Sequence, residues 1–410
     1  TKEVDKVKLS EEDMSSGQLH CFNMILEANS DLRDFFEGAQ DIKDDVEKML
    51  GTYKSMGIHA AGVVITEEPI SRIVSCSYHP EKKAYITQLA KDEVEQIGLV
   101  KLDLLGLQTL EEQRDCMRLI RARYGVDYFA PGKMEEVIDN LPPEVAKAYA
   151  QAKTVGIFQM NTPIAVALLK KVKSLTNAVV QNAVFTSLLR PGPMGSGMHN
   201  TYVDIINGDI PVSYLHPLLV PILEDTMGTL VYQEQVMRIC QDLGGFSKFE
   251  SDSIRKAMGK KKFDILNKYK SKFVQHAVEK NSIPREIADE IWNQMAKFAE
   301  YGFNKSHAIA YSIVSAQSMY LFCKYPQEWI ASLFSNASKE NSEKNKRNYK
   351  IFYKEWKDLL KTPSISKSKS DYEIRDGFIY MPIHTLQKVG FDVAKDLIAL
   401  QPFSSFKDFV

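Results

Sequence analysis

The chain has 410 residues, of which 44% are hydrophobic, 26% charged and 10% aromatic, and its formal net charge is −1; this excludes a disordered or fibrous protein and leaves room for two or three domains. No apolar run approaches the ~20 residues of a membrane span, the start Thr1-Lys2-Glu3-Val4-Asp5 is no signal peptide, and scattered cysteines without C-x-x-C or zinc spacing predict a reduced, cytoplasmic protein without structural zinc. The near-zero charge conceals an uneven distribution: residues 255–272 carry eight Lys or Arg against Asp264 alone, and such local patches decide affinity for polyanions.

In chain order, residues 10–55 read as acidic helix with starts at Ser10 and Ser30. The stretch from Gly57 to Ile65 sets small residues before a β-branched run, which predicts a turn of close backbone approach and then a buried strand. His59 lies among those small residues, either as a satisfied structural histidine or facing a phosphate or base. Residues 70–92 read as a meander of short strands. They lead to Val100-Lys101-Leu102-Asp103, where Lys101 and Asp103 share one face of a strand whose other, apolar face is expected to be buried. A carboxylate on such a strand is a candidate ligand for a divalent cation, although a salt bridge or cap is the commoner role of a lone strand aspartate.

From Gln108 onward the sequence reads as helix: a long segment to Tyr124, another from Pro142-Pro143-Glu144, and a start at Asn161-Thr162-Pro163. Residues 187–198 form a dense Pro/Gly loop, which would hold Arg190 rigid as a fork for phosphate. Tyr232 and Gln233, where an extended piece enters a helix, are suited to stack on a base or bond to one. Ser247 and Glu250 have capping-box spacing. The helix they open should pass Arg255 and Lys256 and stop at Gly259, and Lys260, Lys261 and Lys262 begin the next turn. That corner would neutralise several phosphates. Asn304 or Ser306 should cap a helix running to Tyr325-Pro326, which puts Lys305, Ser306 and His307 at its positive end. Residues 340–361 read as a highly charged helix, and a short strand at 377–381 precedes a helix after Gly390. Each of these also has a plain structural reading: a connector, a solvated lysine face, a capped helix.

Together these groups suit phosphoryl transfer: a metal carboxylate, cations and helix amides for a polyphosphate, and aromatic surface for a base. No nucleophile elbow, Ser-His-Asp grouping or G-x-x-x-x-G-K-[ST] loop supports a hydrolase or a P-loop enzyme.

Seven stretches in order, GIHAAGVVI at 57, GLVKLDLLGL at 98, GIFQM at 156, SLLRPGP at 187, LVYQEQVM at 230, RKAMGKKK at 255 and YGFNKSHAIAY at 301, carry a family resemblance. From about residue 29 to 408 the chain resembles the central part of bacterial C-family replicative DNA polymerases. The resemblance implies an α+β architecture: residues 1–54 as the end of a helical thumb, 55–107 as the second half of a polymerase-β-like nucleotidyltransferase palm, and 108–410 as helical fingers closing in a small mixed α/β portion. It also implies template-primer DNA and dNTP as partners, with three aspartates holding two Mg²⁺ ions for attack of the primer 3′-hydroxyl on the α-phosphate.

Asp103 matches the third of those aspartates and Lys101 the neighbouring palm lysine. The other two belong to an upstream P-D-[IV]-D-x-D-F strand absent from this sequence, so a separate segment is expected to supply them and the chain alone is not expected to be active. The resemblance makes Arg190, Arg255, Lys256, Lys260, Lys261, Lys305, Ser306, His307 and His59 candidates for dNTP or DNA, and Tyr232 and Gln233 for the nascent base pair. Sliding-clamp contact would lie in regions of the family beyond this sequence. A bacterial cytoplasm, or a phage gene expressed there, is the expected setting. The alternative from another class is a non-catalytic nucleic-acid-binding polymerase relic, which would bind DNA in a salt-dependent way regardless of dNTP and Mg²⁺.

Overall fold

A computed structural model of the chain describes residues 11–50, 57–59, 61–104, 106–259, 263–298, 302–339, 342–386 and 388–409. It divides into two compact units, Thr1–Gly106 and Leu107–Val410. Helices dominate and strands are short, as an α+β protein requires.

The first unit opens with helices α1 (Glu11–Ala28), α2 (Ser30–Glu37) and α3 (Gln40–Met49). Asn29 caps α2, its Oδ1 accepting the Leu32 N–H at 3.1 Å, as a short polar side chain does at this position. The strands are β1 (Gly62–Ile65), β2 (Cys76–His79), β3 (Ala84–Thr87) and β4 (Val100–Asp103), with the short helix α4 (Lys91–Gln96) before the last. Within the meander expected over residues 70–92 the strands form one antiparallel pair, β2 with β3, and a separate antiparallel pair joins β1 with β4. In the latter, Gly62 pairs with Asp103, Val63 with Leu102, Val64 with Lys101 and Ile65 with Val100.

This register separates two faces, since cross-strand partners point the same way. Lys101 and Asp103 share one, as expected. The other is Val63, Ile65, Val100 and Leu102, and it is 44%, 57%, 61% and 43% exposed respectively. The expectation that the apolar face is buried is therefore wrong for this chain: a two-stranded ribbon supplies no second layer to lie against it.

The second unit begins with α5 (Gln108–Tyr124), α6 (Lys133–Asp139), α7 (Pro143–Ala150), α8 (Pro163–Leu169) and α9 (Ala178–Leu188). It continues with α10 (Pro191–Gly195), α11 (Met198–Ile206), α12 (Val220–Leu223), α13 (Gln233–Asp242), α14 (Lys248–Gly259), α15 (Phe263–Asn281) and α16 (Arg285–Phe298). Then follow α17 (Lys305–Lys324), α18 (Pro326–Lys339) and α19 (Glu343–Trp356). A small sheet of β5 (Leu360–Lys361), β6 (Glu373–Arg375) and β7 (Phe378–Tyr380), in the order β5-β7-β6, precedes α20 (Phe391–Ala399) and α21 (Phe406–Phe409).

α17 is the hub. Its small residues Ala308, Ser312, Ser315 and Ala316 are buried, so neighbouring helices approach closely and its hydroxyls find partners on them. Ser312 donates to the Val179 carbonyl of α9 at 2.5 Å, the Tyr149 hydroxyl of α7 lies 2.7 Å from Ser315 Oγ, and Gln113 of α5 donates to the Val314 carbonyl at 2.9 Å. One apolar core surrounds this hub, and a second forms among α12 to α16 around Phe273, Trp292 and Met295. Segments 228–236 and 302–305 run where the elements of the two cores meet.

At the start of the first of them, Gly228 has φ +80°, and a Cβ there would lie 2.4 Å from the Ser213 carbonyl oxygen. Gly228→Ala combines left-handed strain with a backbone clash, so it is expected to lower stability by about 2 kcal/mol in a denaturant titration. No loss would mean that residue 213 moves freely. Among the described residues no helix is long and apolar enough to cross a membrane.

Candidate functional site

In the first unit, Asp103 ends β4. Lys101 Nζ donates to its Oδ1 at 2.8 Å, with the lysine side chain 9% exposed and the aspartate 54%. The aliphatic stem of Lys101 lies along the ribbon while its charge reaches the carboxylate. His59 Nδ1 is 3.9 Å from the same oxygen and accepts the Ala61 N–H at 3.3 Å. A nitrogen that accepts there cannot also donate to Asp103, so neutral His59 carries its proton on Nε2. Gly62 makes the cluster compact: a Cβ on it would stand 2.9 Å from His59 Nδ1 and 3.4 Å from Lys101 Cδ. The close backbone approach read from the small residues is thus directed at the imidazole. Asp103 is an oxygen donor of the class a hard cation takes. Among the described residues, no group of three or more His, Cys, Asp or Glu side chains converges to hold a metal.

In the second unit, the motif segments meet around Phe303. Arg190, the N-cap residue of α10, holds its guanidinium 3.8 Å from the Phe303 ring centroid, a stacked cation–π arrangement. Burial lowers the pKa of Arg190, yet a guanidinium stays charged. The ladder continues from Phe303 to His307 (5.4 Å), from His307 to Tyr311 (4.1 Å) and from Tyr311 to Phe158 (5.3 Å). Three of the stretches singled out in the sequence thereby contribute side chains to one row: Arg190, Phe158, and Phe303 with His307 and Tyr311.

The backbone beneath is laced. Phe303 N–H donates to the Val231 carbonyl at 3.2 Å and Gln233 N–H to the Phe303 carbonyl at 2.9 Å. Gln233 Nε2 donates to the Gly302 carbonyl at 2.9 Å, and its Oε1 accepts from Arg255 Nη1 at 3.1 Å. Glu234 accepts from Asn304 Nδ2 and from the Lys305 N–H, each at 2.9 Å.

These bonds correct several expectations. Tyr232 is 1% exposed, so its ring is core and offers no stacking surface; burial also raises its hydroxyl pKa. The Gln233 amide is engaged inside the protein at both its oxygen and its nitrogen, which ties the side chain to Gly302 and Arg255. Asn304, not Ser306, caps α17, accepting the His307 N–H at 2.8 Å. The positive end of that helix is already served by Glu234, and Lys305 Nζ by Asp225 at 2.8 Å; carboxylates are the natural occupants of a helix N-terminus. Ser306 and His307 remain exposed.

Arg255 and Lys256 are both paired with Asp252, at 2.8 Å each, and Lys256 and Arg255 together hold its carboxyl below the ordinary aspartate range. Lys260, Lys261 and Lys262 lie outside the described residues. The expected loop after Arg190 is the short helix α10, which tolerates Pro191 and Pro193 because first-turn amides need no partner. Asp252 was legible from its i+3 and i+4 spacing to Arg255 and Lys256. Glu234, Asp225 and the Phe158–Tyr311 contact leave no local signal.

The pattern has relatives. A family profile described as "Bacterial DNA polymerase III alpha NTPase domain" matches residues 4–106, and one described as "Bacterial DNA polymerase III alpha subunit finger domain" matches residues 109–281. The chain is similar to the DNA polymerase III subunit alpha of Aquifex aeolicus, with 36% identity over 92% of this chain and 32% of that protein. The Bacillus subtilis subunit is 32% identical over 90% of this chain and 32% of its own length, and the Escherichia coli subunit 35% identical over 78% and 28%. The chain spans about a third of the length of these curated relatives. Matched by both profiles and by relatives above 30% identity over most of its residues, the chain belongs to the bacterial DNA polymerase III α-subunit family.

Proposed function

We propose that the chain takes part in DNA-directed DNA synthesis, in which a primer 3′-oxygen attacks the α-phosphorus of a dNTP and pyrophosphate leaves. In this reading the first unit is part of a palm and the second belongs to the fingers. Asp103 is one of the carboxylates that hold divalent metal ions, Mg²⁺ by preference, and Lys101 keeps it in place until metal replaces the ammonium. One carboxylate cannot fix two ions, so two further aspartates come from a P-D-x-D-x-D-F segment of the longer polymerase. Arg190 is the strongest candidate for nucleotide phosphate: its fork is stacked on Phe303, and among the described residues it faces no carboxylate. Lys256, Lys305, Ser306 and His307 are candidates for phosphate contact, with Lys256 and Lys305 exchanging carboxylate partners for phosphate when DNA or dNTP binds.

The observation that carries this reading is the ribbon itself. Asp103 sits on the polar face of a strand pair whose apolar face, Val63, Ile65, Val100 and Leu102, is uncovered, as befits a sheet completed by a further segment.

The test is Mg²⁺-dependent primer extension with the chain alone, the P-D-x-D-x-D-F segment alone, and both. Extension is expected only from the pair, with slowed hydrogen exchange in β1 and β4. Extension by the chain alone, or unchanged exchange in the pair, overturns the reading. DNA binding indifferent to dNTP and Mg²⁺ in the pair would favour the non-catalytic alternative.

A further inference from the structure

We propose that the outer face of α19 is a binding surface for single-stranded DNA, a site distinct from the ring ladder at Phe303. The fold fixes which face is outward. Phe352 is buried with its ring 6.0 Å from Phe334, and Tyr349 packs on the same Phe334 at 5.3 Å. On a helix of 3.6 residues per turn, the side opposite Phe352 carries Lys346, Arg347, Lys350 and Lys354. The last three recur at spacings of three and four, and Lys346 to Lys354 spans about 12 Å at 1.5 Å per residue.

These cations differ from the ones singled out in the sequence. Arg255, Lys256, Lys305 and Lys101 each hold a carboxylate at 2.8 Å. Among the described residues Arg347, Lys350 and Lys354 form no ion pair, and Glu343, the acid at the head of the row, is held by Lys346 at 2.7 Å with Lys350 acting on it from farther away. A chain whose charges nearly cancel thus leaves one helix face with a net excess of positive charge, four cations against Glu343, the footprint of a polyanion. The side chains enclose a groove of about 350 Å³ lined by Glu343, Lys346, Arg347, Lys350, Ile351 and Lys354.

The flanks select the strand state. Tyr353 borders Lys350 and Lys346 on one side and is 47% exposed, its ring within 13° of parallel to Tyr349. Ile351 borders Arg347 and Lys354 on the other and is 45% exposed. A duplex presents its phosphates but hides the faces of its bases. A single strand presents both, and cations interleaved with an exposed aromatic ring engage both. An acidic protein would use the cations but gives Tyr353 no comparable partner. The inference deepens the polymerase reading by giving the unpaired template a place to lie.

The experiment uses the full chain without metal or dNTP, so its failure leaves the primer-extension test untouched and the reverse. Fluorescence anisotropy follows an oligo-dT strand and a hairpin duplex of matched charge across a salt series. Arg347→Gln/Lys350→Gln/Lys354→Gln is expected to flatten the log affinity against log salt slope for oligo-dT by about 2, at about 0.7 per single-strand phosphate. The control Arg72→Gln/Lys82→Gln/Lys83→Gln, in the first unit, should leave it unchanged. Tyr353→Ala is expected to weaken oligo-dT binding at least about fivefold, with duplex binding unchanged, and Tyr353→Phe to retain it. Unchanged melting temperatures separate these effects from unfolding. Equal slopes for the two triple variants overturn the site. Equal losses on oligo-dT and duplex for Tyr353→Ala, or loss in Tyr353→Phe, overturn the single-strand assignment.

Discussion

Asp103→Asn is expected to reduce primer extension by the reconstituted pair at least about 10³-fold, because metal stabilisation of the transferring phosphoryl group is worth several kcal/mol. Asparagine keeps the shape of the side chain and the backbone pairing of residue 103 with Gly62. What it loses is the charge that attracts a cation and pairs with Lys101. Asparagine Oδ1 can still accept from Lys101 Nζ, whose side chain is 9% exposed against 54% for Asp103, so the loss to folding is expected to be about 1 kcal/mol. The variant should therefore unfold at nearly the wild-type denaturant midpoint while its extension rate collapses. A variant that retains a tenth of the activity removes Asp103 from the metal set, and one that unfolds early assigns it to the fold.

The second large effect concerns stability and pH. Glu112, on α5, is almost fully buried, and desolvation pushes its carboxyl from 4.5 up to about 7, opposed in part by a hydrogen bond from Thr109 and by the charge of Lys344. The folded state thus binds a proton more tightly here than the unfolded state. Its contribution is fully present below about pH 4.5 and is lost as pH rises to about 7. A displacement of that size corresponds to about 3 kcal/mol. Glu112→Gln, which is neutral at every pH and can still accept a hydrogen bond, is expected to stabilise the protein by up to about 3 kcal/mol at pH 8 and by almost nothing at pH 4. Urea titrations of both proteins at the two pH values give the answer; the same difference at both would mean that packing, not ionisation, governs the site.

Signals confined to one turn of chain were readable. α5 runs from Gln108 to Tyr124 as its periodicity predicts, and α14 opens on the Ser247–Glu250 box, with reciprocal bonds of 2.9 and 3.2 Å. Thr162 and Asn304 cap the helices they precede. Such features depend on residues three or four apart, where spacing is geometry. The state of the candidate side chains was not readable in this way. Glu234 reaches Lys305 across 71 residues, and Asp225 reaches it across 80; only the tertiary fold brings them together. Tyr232 looked like a stacking surface because aromatic residues serve both cores and sites, and only packing distinguishes the two. The high charge of residues 340–361 was plain in the sequence, whereas the absence, among the described residues, of an ion-paired acid at Arg347, Lys350 and Lys354 required the structure.

The open ribbon of β1 and β4 also bears on how the chain behaves in concentrated solution. Besides its bare apolar face, each strand has an outer edge with no partner strand among the described residues, and exposed edges accept strands from any source. Under the function proposed above, the source is one further segment and the match specific. For the isolated chain the nearest strands belong to other copies, so self-association and completion of the sheet draw on one surface. Solubility at high concentration and capacity for chemistry are therefore coupled: the segment that completes the sheet also removes the template for aggregation.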